Sequence, residues 1–187
     1  MANRPNTGGL QLFLLTGDTG SGKSSFLQVL MEKFKRTGTK TAGFVSPSVK
    51  DENSSSSYNI KDLNTGKTLR LSSRKKQEGW MKTGGFYFNS AGIDLGNSVL
   101  SDPDICNNDL VVVDEVGPFE LEDMIWAEAI TRLLKGGSCS MLWVVRKHLV
   151  DKVIQKWKIV NPVILDNELH TADQALEIIL QGLKRKV

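Results

Sequence analysis

Residues 17–24 read Gly-Asp-Thr-Gly-Ser-Gly-Lys-Ser, which is the spacing G-x-x-x-x-G-K-[ST] of a phosphate-binding loop. Backbone N–H groups surround the phosphates in such a loop, and glycine is required because a Cβ would block their approach. The spacing predicts that Lys23 reaches the β- and γ-phosphates and that the Ser24 hydroxyl is a ligand of Mg²⁺. The nucleotide-contacting residues expected here are Gly17, Asp18, Thr19, Gly20, Ser21, Gly22, Lys23, Ser24 and Ser25.

The residues on both sides of this loop fit a strand before it and a helix after it. Residues 10–15 form a short apolar run with the length of a buried strand. After the loop, apolar residues recur on one helix face, and Gly38 is a suitable stop. A helix N-terminus at this point would add its partial positive charge to the phosphate site. Strand, loop and helix therefore follow in the order that the motif requires.

Length and composition favour one soluble globular domain over residues 1–187, with 40% hydrophobic and 24% charged residues. Because the 24 basic residues are nearly balanced by 21 acidic ones, the net charge gives no reason to expect a nucleic-acid partner. The basic runs 74–76 and 184–186 fit solvated segments. We find neither a leader-like N-terminus nor an apolar run of membrane-spanning length. These features predict a cytoplasmic protein without a membrane partner.

The two cysteines do not have the spacing of a disulfide framework. We therefore expect no disulfide between Cys106 and Cys139. Cys139 lies in an apolar segment, where a free thiol usually behaves as a small inert hydrophobic residue.

Most of the chain alternates between strand and helix patterns. Predicted strands cover residues 39–46, 110–113, 141–145 and 160–165, and predicted helices cover 90–100, 125–134, 149–157 and a segment opened by a capping box at 171–174. This alternation predicts an α/β fold with three layers and a mostly parallel central sheet.

An insertion over about residues 50–88 interrupts the alternation. Residues 58–63 and 68–71 flank Asn-Thr-Gly-Lys, which is a β-hairpin signal. A polar segment over 50–57 indicates a mobile loop, 74–79 indicates a second exposed loop, and 86–88 a short strand. We expect this small hairpin insertion to lie beside the nucleotide site.

Acidic residues at the end of the strand 110–113 complete the predicted site. Ligands bind at the carboxyl ends of strands in open α/β sheets. Asp114 is placed to hold Mg²⁺, through a water molecule. Glu115 follows it and can polarise a water for attack on the γ-phosphate. Residues 114–117 also fit the D-x-x-G pattern of GTPases, but the guanine-reading N-K-x-D motif is missing: neither residues 161–163 nor 167–168 fit it.

Other candidates carry weaker signals. Arg146 ends the strand 141–145 and is either an arginine that stabilises transition-state charge or a surface side chain. Lys82 and Arg132 are weaker versions of the same idea. Glu120 fits a structural role that ties down the loop after Asp114. Periodicity places most tryptophans in the core, whereas Trp80, in a predicted loop, is a candidate for stacking on a base.

Residues 114–121 read Asp-Glu-Val-Gly-Pro-Phe-Glu-Leu. Together with residues 17–24, Gly43-Phe44 and the hairpin, this string resembles the THEP1 family of nucleoside-triphosphatases, whose second motif reads approximately D-E-I-G-x-M-E-L. The resemblance covers nearly the whole chain. It implies a RecA-like P-loop core, Mg²⁺ dependence, and hydrolysis of ATP, GTP and other nucleoside triphosphates with little base preference.

The chain departs from the family where an E-V-R segment and a further arginine usually follow the second strand. Ser48-Val49-Lys50 and a serine run stand there instead. Since lysine cannot make the bidentate contacts of arginine, this difference predicts weaker activity or a need for a partner.

Three functions fit the residues. The first is a Mg²⁺-dependent nucleoside-triphosphatase with Lys23, Glu115 and Arg146 as catalytic groups and Ser24 and Asp114 as metal ligands. The second is a P-loop kinase that passes the γ-phosphate to a small acceptor, with the insertion as its lid. The third is a nucleotide-switched adaptor that resembles the guanine-dinucleotide protein of molybdenum-cofactor synthesis and acts through a protein partner.

Overall fold

The computed structural model describes residues 11–50, 56–137 and 139–184. The strands in these ranges are β1 (Leu12–Thr16), β2 (Thr41–Val45), β3 (Ser48–Lys50), β4 (Ser56–Asp62), β5 (Thr68–Ser73), β6 (Met81–Thr83), β7 (Phe86–Phe88), β8 (Leu110–Asp114), β9 (Met141–Val144) and β10 (Val163–Asp166). The α-helices are α1 (Lys23–Thr37), α2 (Ser90–Leu100), α3 (Pro118–Leu121), α4 (Ala127–Gly136), α5 (Val150–Trp157) and α6 (Ala172–Lys184).

The strands of the described chain form one sheet in the order β10-β1-β9-β8-β2-β4-β5-β7-β6, with β3 paired to β4. The five strands from β10 to β2 are parallel. From β2 onward, each neighbour runs antiparallel. The α/β fold with a parallel core is therefore confirmed, and the insertion extends the same sheet as an antiparallel part.

Helices cover both faces of the parallel core because successive side chains of its strands point in opposite directions. On one face, Phe13 and Leu15 pack with α1 and α6. On the other, Leu12 and Leu14 belong to a cluster that includes residues of α2, α4 and α5. Apolar residues stand at both faces of each central strand, so these strands are buried throughout.

The insertion contains the predicted hairpin, formed by β4 and β5. The prediction of a loop over residues 50–57 is wrong at its ends, because Lys50 belongs to β3 and Ser56 and Ser57 begin β4. Both strands gain backbone hydrogen bonds by pairing with each other, which outweighs their polar composition. Residues 51–55, Leu10 and residues 185–186 of the basic run lie outside the described ranges. The short elements β6 and α3 were not predicted.

Several helix and strand boundaries differ from the predictions for local reasons. The helix predicted over 90–100 is confirmed as α2, and Asn89 caps it, since its side chain accepts the N–H of Ala91. The helix predicted from Ile125 begins at Ala127, because Ile125 has a positive φ of 56°. The last strand begins at Val163 instead of residue 160, because the two residues before it are Asn161, with φ of 51°, and a proline.

Cys106 and Cys139 form a disulfide, with their Cα atoms 4.9 Å apart. The expectations of no disulfide and of a free Cys139 thiol are therefore wrong. The reason is tertiary: Cys106 lies shortly before β8 and Cys139 shortly before β9, and these two strands are parallel neighbours. Their amino-terminal ends bring the two thiols together across 33 residues of sequence. Searched over the described residues, the helices include none long and apolar enough to cross a membrane.

Candidate nucleotide site

The predicted site residues gather at the carboxyl ends of three neighbouring strands. The ladder pairs Leu15 of β1 with Val144 of β9, and Val144 with Asp114 of β8. Because the three strands are parallel, the segments that follow them leave the sheet at the same edge. The phosphate loop directly follows β1, Glu115 directly follows β8, and Arg146 lies two residues after the end of β9. This edge is where open α/β sheets bind ligands.

The phosphate loop turns through two glycines in the left-handed region, Gly20 with φ of 82° and Gly22 with φ of 85°. Side chains with a Cβ rarely adopt this conformation. The turn ends directly at Lys23, the first residue of α1. The N-terminus of this 15-residue helix therefore faces the loop, as the motif requires.

Lys23 is folded across the loop, and its side chain is nearly buried. Its Nζ donates hydrogen bonds to the carbonyl oxygens of Gly17, at 3.0 Å, and Asp18, at 2.7 Å. Burial lowers the pKa of Lys23, and the nearby Glu115 carboxylate opposes this effect. The other predicted contacts lie at the open side of the loop, where Asp18, Thr19, Gly20, Gly22, Ser24 and Ser25 are exposed.

Asp114 is buried beside the end of β2. Its Oδ2 accepts the N–H of Ser46 at 3.0 Å, and the Ser46 hydroxyl donates to the backbone oxygen of Asp114. Burial raises the pKa of Asp114 to about 7, with Glu115 adding to the rise, while the Ser46 N–H and the Lys23 charge oppose it. A buried carboxylate of this kind favours a nearby cation.

The donor set fits Mg²⁺, which prefers oxygen ligands and usually takes only one or two from the protein. Asp114 offers a carboxylate and Ser24 an exposed hydroxyl. In the residues that the structure describes, no group of three His, Cys, Asp or Glu side chains could hold a metal alone. Phosphate oxygens and water would supply the remaining ligands.

Glu115 and Arg146 form an ion pair, with Oε1 2.6 Å from Nη2. Each side chain is about one third exposed, at 34% and 37%. The backbone of Glu115 is fixed separately, because the indole Nε1 of Trp126 donates to its carbonyl oxygen at 3.1 Å. The arrangement presents a carboxylate and a guanidinium to the same opening beside Lys23.

Glu120 secures the loop after Asp114, as predicted. Its Oε2 accepts the N–H of Gly117 at 2.8 Å, and the side chain is only 2% exposed. The second oxygen, Oε1, is buried without a hydrogen-bond partner. Burial is the main reason that the pKa of Glu120 rises to about 8. The carboxyl group is therefore mostly protonated at pH 7.

The weaker candidates are engaged elsewhere. Arg132, on α4, donates to Glu128 and Ser101. Lys82 lies over the ring of Tyr87 within the β6–β7 pair. Trp80 lines a separate polar cavity of about 400 Å³ in the insertion, with Ser57, Arg70, Ser73, Lys75 and Gln77. These contacts hold Arg132 on α4 and Lys82 within the insertion.

Asn167 is a site residue that the sequence did not reveal. In the sequence, Asn167 stands out only as part of residues 167–168, which do not fit the guanine-reading motif N-K-x-D. In the structure, its Nδ2 donates to the carbonyl oxygen of Ser21 at 2.8 Å, and its Oδ1 accepts the Ser21 hydroxyl at 3.0 Å. No local pattern marks this contact, because 146 residues separate the partners.

The sequence is similar to those of known nucleoside-triphosphatases. A sequence profile of the family described as NTPase (NTPase_1) matches residues 12–180. Nucleoside-triphosphatase THEP1 of Methanocaldococcus jannaschii is 24% identical over 175 residues, covering 91% of this chain and 98% of the relative. The THEP1 protein of Methanosarcina acetivorans is 31% identical over 123 residues, covering 65% of this chain and 68% of the relative.

Two solved structures share the fold. The crystal structure of THEP1 from the hyperthermophile Aquifex aeolicus matches with a TM-score of 0.71 and 18% identity, covering 93% of this chain and 99% of that one. The solution structure of a human cancer-related nucleoside triphosphatase matches with a TM-score of 0.70 and 18% identity, covering 95% and 99%.

Proposed function

This chain belongs to the NTPase family and is a nucleoside-triphosphatase related to THEP1, and from that premise we propose that it hydrolyses the β–γ phosphoanhydride bond in a Mg²⁺-dependent reaction at the phosphate loop. In this reaction a water oxygen bonds to the γ-phosphorus, the bond from that phosphorus to the β–γ bridging oxygen breaks, and the nucleoside diphosphate leaves. The observation that carries the proposal is the meeting of Lys23, Asp114, Glu115 and Arg146 at one edge of the sheet.

The phosphate loop and Lys23 bind the triphosphate. The Nζ of Lys23 now rests on two loop carbonyls, and it moves to the β- and γ-phosphates when these enter the loop. Ser24 and Asp114 would hold Mg²⁺, which would neutralise charge that develops on the phosphate oxygens. Asp114 is buried at the end of β8, and the hydrogen bond from the Ser46 N–H fixes the orientation of its carboxylate.

Glu115 orients the attacking water and accepts its proton. Its ion pair with Arg146 holds the carboxylate in place. Arg146 lies at the same opening and stabilises the charge of the transferring γ-phosphoryl group. Since the pair also holds Glu115 in the absence of substrate, arrival of the γ-phosphate gives Arg146 a second anionic partner.

Low base selectivity belongs to the same proposal. The chain lacks the N-K-x-D residues that read guanine, and the contacts predicted for the phosphate loop involve phosphates only. We therefore expect phosphate release from several nucleoside triphosphates at similar rates.

The test is phosphate release with Mg²⁺ and ATP, GTP, CTP or UTP, each measured separately. Glu115→Gln should still bind ATP but lose roughly 10²- to 10⁴-fold in kcat, and Lys23→Ala should lose binding as well. Arg146→Ala should lower kcat about 10²-fold. Arg132→Ala is the matched control, because it removes an exposed arginine paired on α4 and should leave kcat within about twofold.

Tight ATP binding by the wild-type protein without phosphate release would overturn autonomous hydrolysis. Equal losses of kcat in Arg146→Ala and Arg132→Ala would overturn the catalytic role of Arg146. Release from one nucleotide alone would overturn low base selectivity while leaving the hydrolytic roles intact.

A further inference from the structure

We propose that Asn167 is a positioning residue, whose side chain holds the phosphate loop in the conformation that receives nucleotide phosphates. The proposal rests on the proposed function of this loop. It goes beyond that function because it assigns a role to the turn between β10 and α6, which lies far from the loop in sequence.

Asn167 contacts the phosphate loop at its base and at its tip. Its backbone N–H donates to the carbonyl oxygen of Thr16 at 3.0 Å, where β1 ends. Its side-chain amide makes both hydrogen bonds with Ser21, one to the carbonyl oxygen and one from the hydroxyl. One residue thus joins the end of β1 to the far side of the loop.

The side chain of Asn167 is not needed for its own turn. Asp166 closes that turn, since its Oδ1 accepts the N–H of Glu168 at 2.9 Å and its carbonyl oxygen accepts the N–H of His170. The next helix has its own cap: Thr171 and Gln174 exchange side-chain to backbone hydrogen bonds. The amide group of Asn167 is therefore free to serve the loop alone.

The loop leaves room for this amide. A Cβ on Gly17 would overlap Oδ1 of Asn167. Glycine at this position therefore leaves space for the Asn167 side chain as well as for the phosphates. The base of the loop is also held by Lys147, whose backbone N–H donates to the Gly17 carbonyl oxygen at 3.2 Å. A loop held at both ends loses less conformational entropy when it closes around phosphates.

The experiment measures ADP binding in the presence of Mg²⁺ by calorimetry, because ADP occupies the loop without being hydrolysed. Asn167→Ala removes both side-chain bonds and should raise Kd about tenfold, whereas Ser21→Ala removes one and should raise it about threefold. The double variant should bind about tenfold more weakly than wild type. Independent effects would multiply to about thirtyfold. KM for ATP should follow Kd, with a smaller change in kcat.

Asn108→Ala is the matched control. Its side chain also donates an amide hydrogen bond to a backbone carbonyl, that of Ile105 at 3.1 Å, but at the opposite end of the sheet. We expect a similar loss in thermal midpoint from Asn108→Ala and Asn167→Ala, with an unchanged Kd only in Asn108→Ala.

An unchanged Kd in Asn167→Ala, or single effects that multiply in the double variant, would overturn the proposal. Ser21→Ala removes only a hydroxyl, so it still tests the contact if Asn167→Ala does not fold. Failure of the proposed function has a different signature: wild type would release no phosphate from ATP, while the ratios of Kd for ADP would still decide the role of Asn167.

Discussion

Replacing Glu120 by glutamine should stabilise the protein at neutral and alkaline pH. The carboxyl group is buried, with one oxygen bonded to the Gly117 N–H and the other without a partner. Burial raises its pKa from the ordinary value of 4.5 to about 8. At pH 7 the folded protein therefore keeps a proton that the unfolded chain has released.

The magnitude follows from proton linkage. Between pH 4.5 and about 8 the folded state binds more protons than the unfolded state at Glu120, so the free energy of unfolding falls as pH rises. At about 1.4 kcal/mol for each pH unit, the loss reaches about 3 kcal/mol at pH 7 and about 5 kcal/mol above pH 8. Glutamine keeps an oxygen for the Gly117 N–H and carries no charge, so Glu120→Gln lacks this loss.

Urea unfolding of wild type and Glu120→Gln at pH 5, 6, 7 and 8 measures the difference. We expect the free energy of unfolding of Glu120→Gln to exceed that of wild type by an amount that grows with pH. Glu122→Gln is the control, because it removes the same charge from an exposed neighbour on the surface and should give a nearly constant difference. Parallel pH curves for wild type and Glu120→Gln would refute the reasoning, since Glu120 would then be ionised in the folded protein.

Three further predictions concern the framework of the fold. Gly43→Ala should cost about 3 kcal/mol or more in urea unfolding, since φ is 96° and a Cβ would overlap the Val112 carbonyl oxygen; Gly66→Ala, with φ of 74° in open space, should cost about 1 kcal/mol. The Glu168 N–H and the Lys147 ammonium lower the pKa of Asp166. The free energy of unfolding that ionised Asp166 adds over Asp166→Asn is thus present above its ordinary pKa of 3.8 and should shrink as pH falls below that value, as acid unfolding would measure. Reducing the disulfide should lower the free energy of unfolding by about 2–4 kcal/mol, and thiol titration of the unreduced, denatured protein should find no free thiol.

The local part of the site was predictable from the sequence because its signals span a few residues. Backbone stereochemistry and helix geometry act over that range, so the spacing around Lys23 predicted a strand, a loop and a helix in the observed order. The apolar strand before Asp114 placed this acid at the edge where the loop lies. The role of Glu120 in holding the loop after Asp114 was also predicted from its position.

Other features depended on elements that are distant in sequence. The pairing of Cys106 with Cys139 required β8 and β9 to be parallel neighbours. The polar residues of β3 and at the start of β4 form strands because the two segments pair through backbone hydrogen bonds. The contact between Asn167 and Ser21 required β10 to pair with β1.

The sequence by itself determined the α/β class, the phosphate loop, the acidic strand end and the hairpin, because glycine conformation, apolar periodicity and turn chemistry are local properties. Only the tertiary structure decided which side chains meet across the sheet: Arg146 with Glu115, and Asn167 with Ser21. The physical reason is that strand order is set by packing of the whole chain. The same packing sets the burial that keeps Glu120 protonated, which no short stretch of sequence encodes.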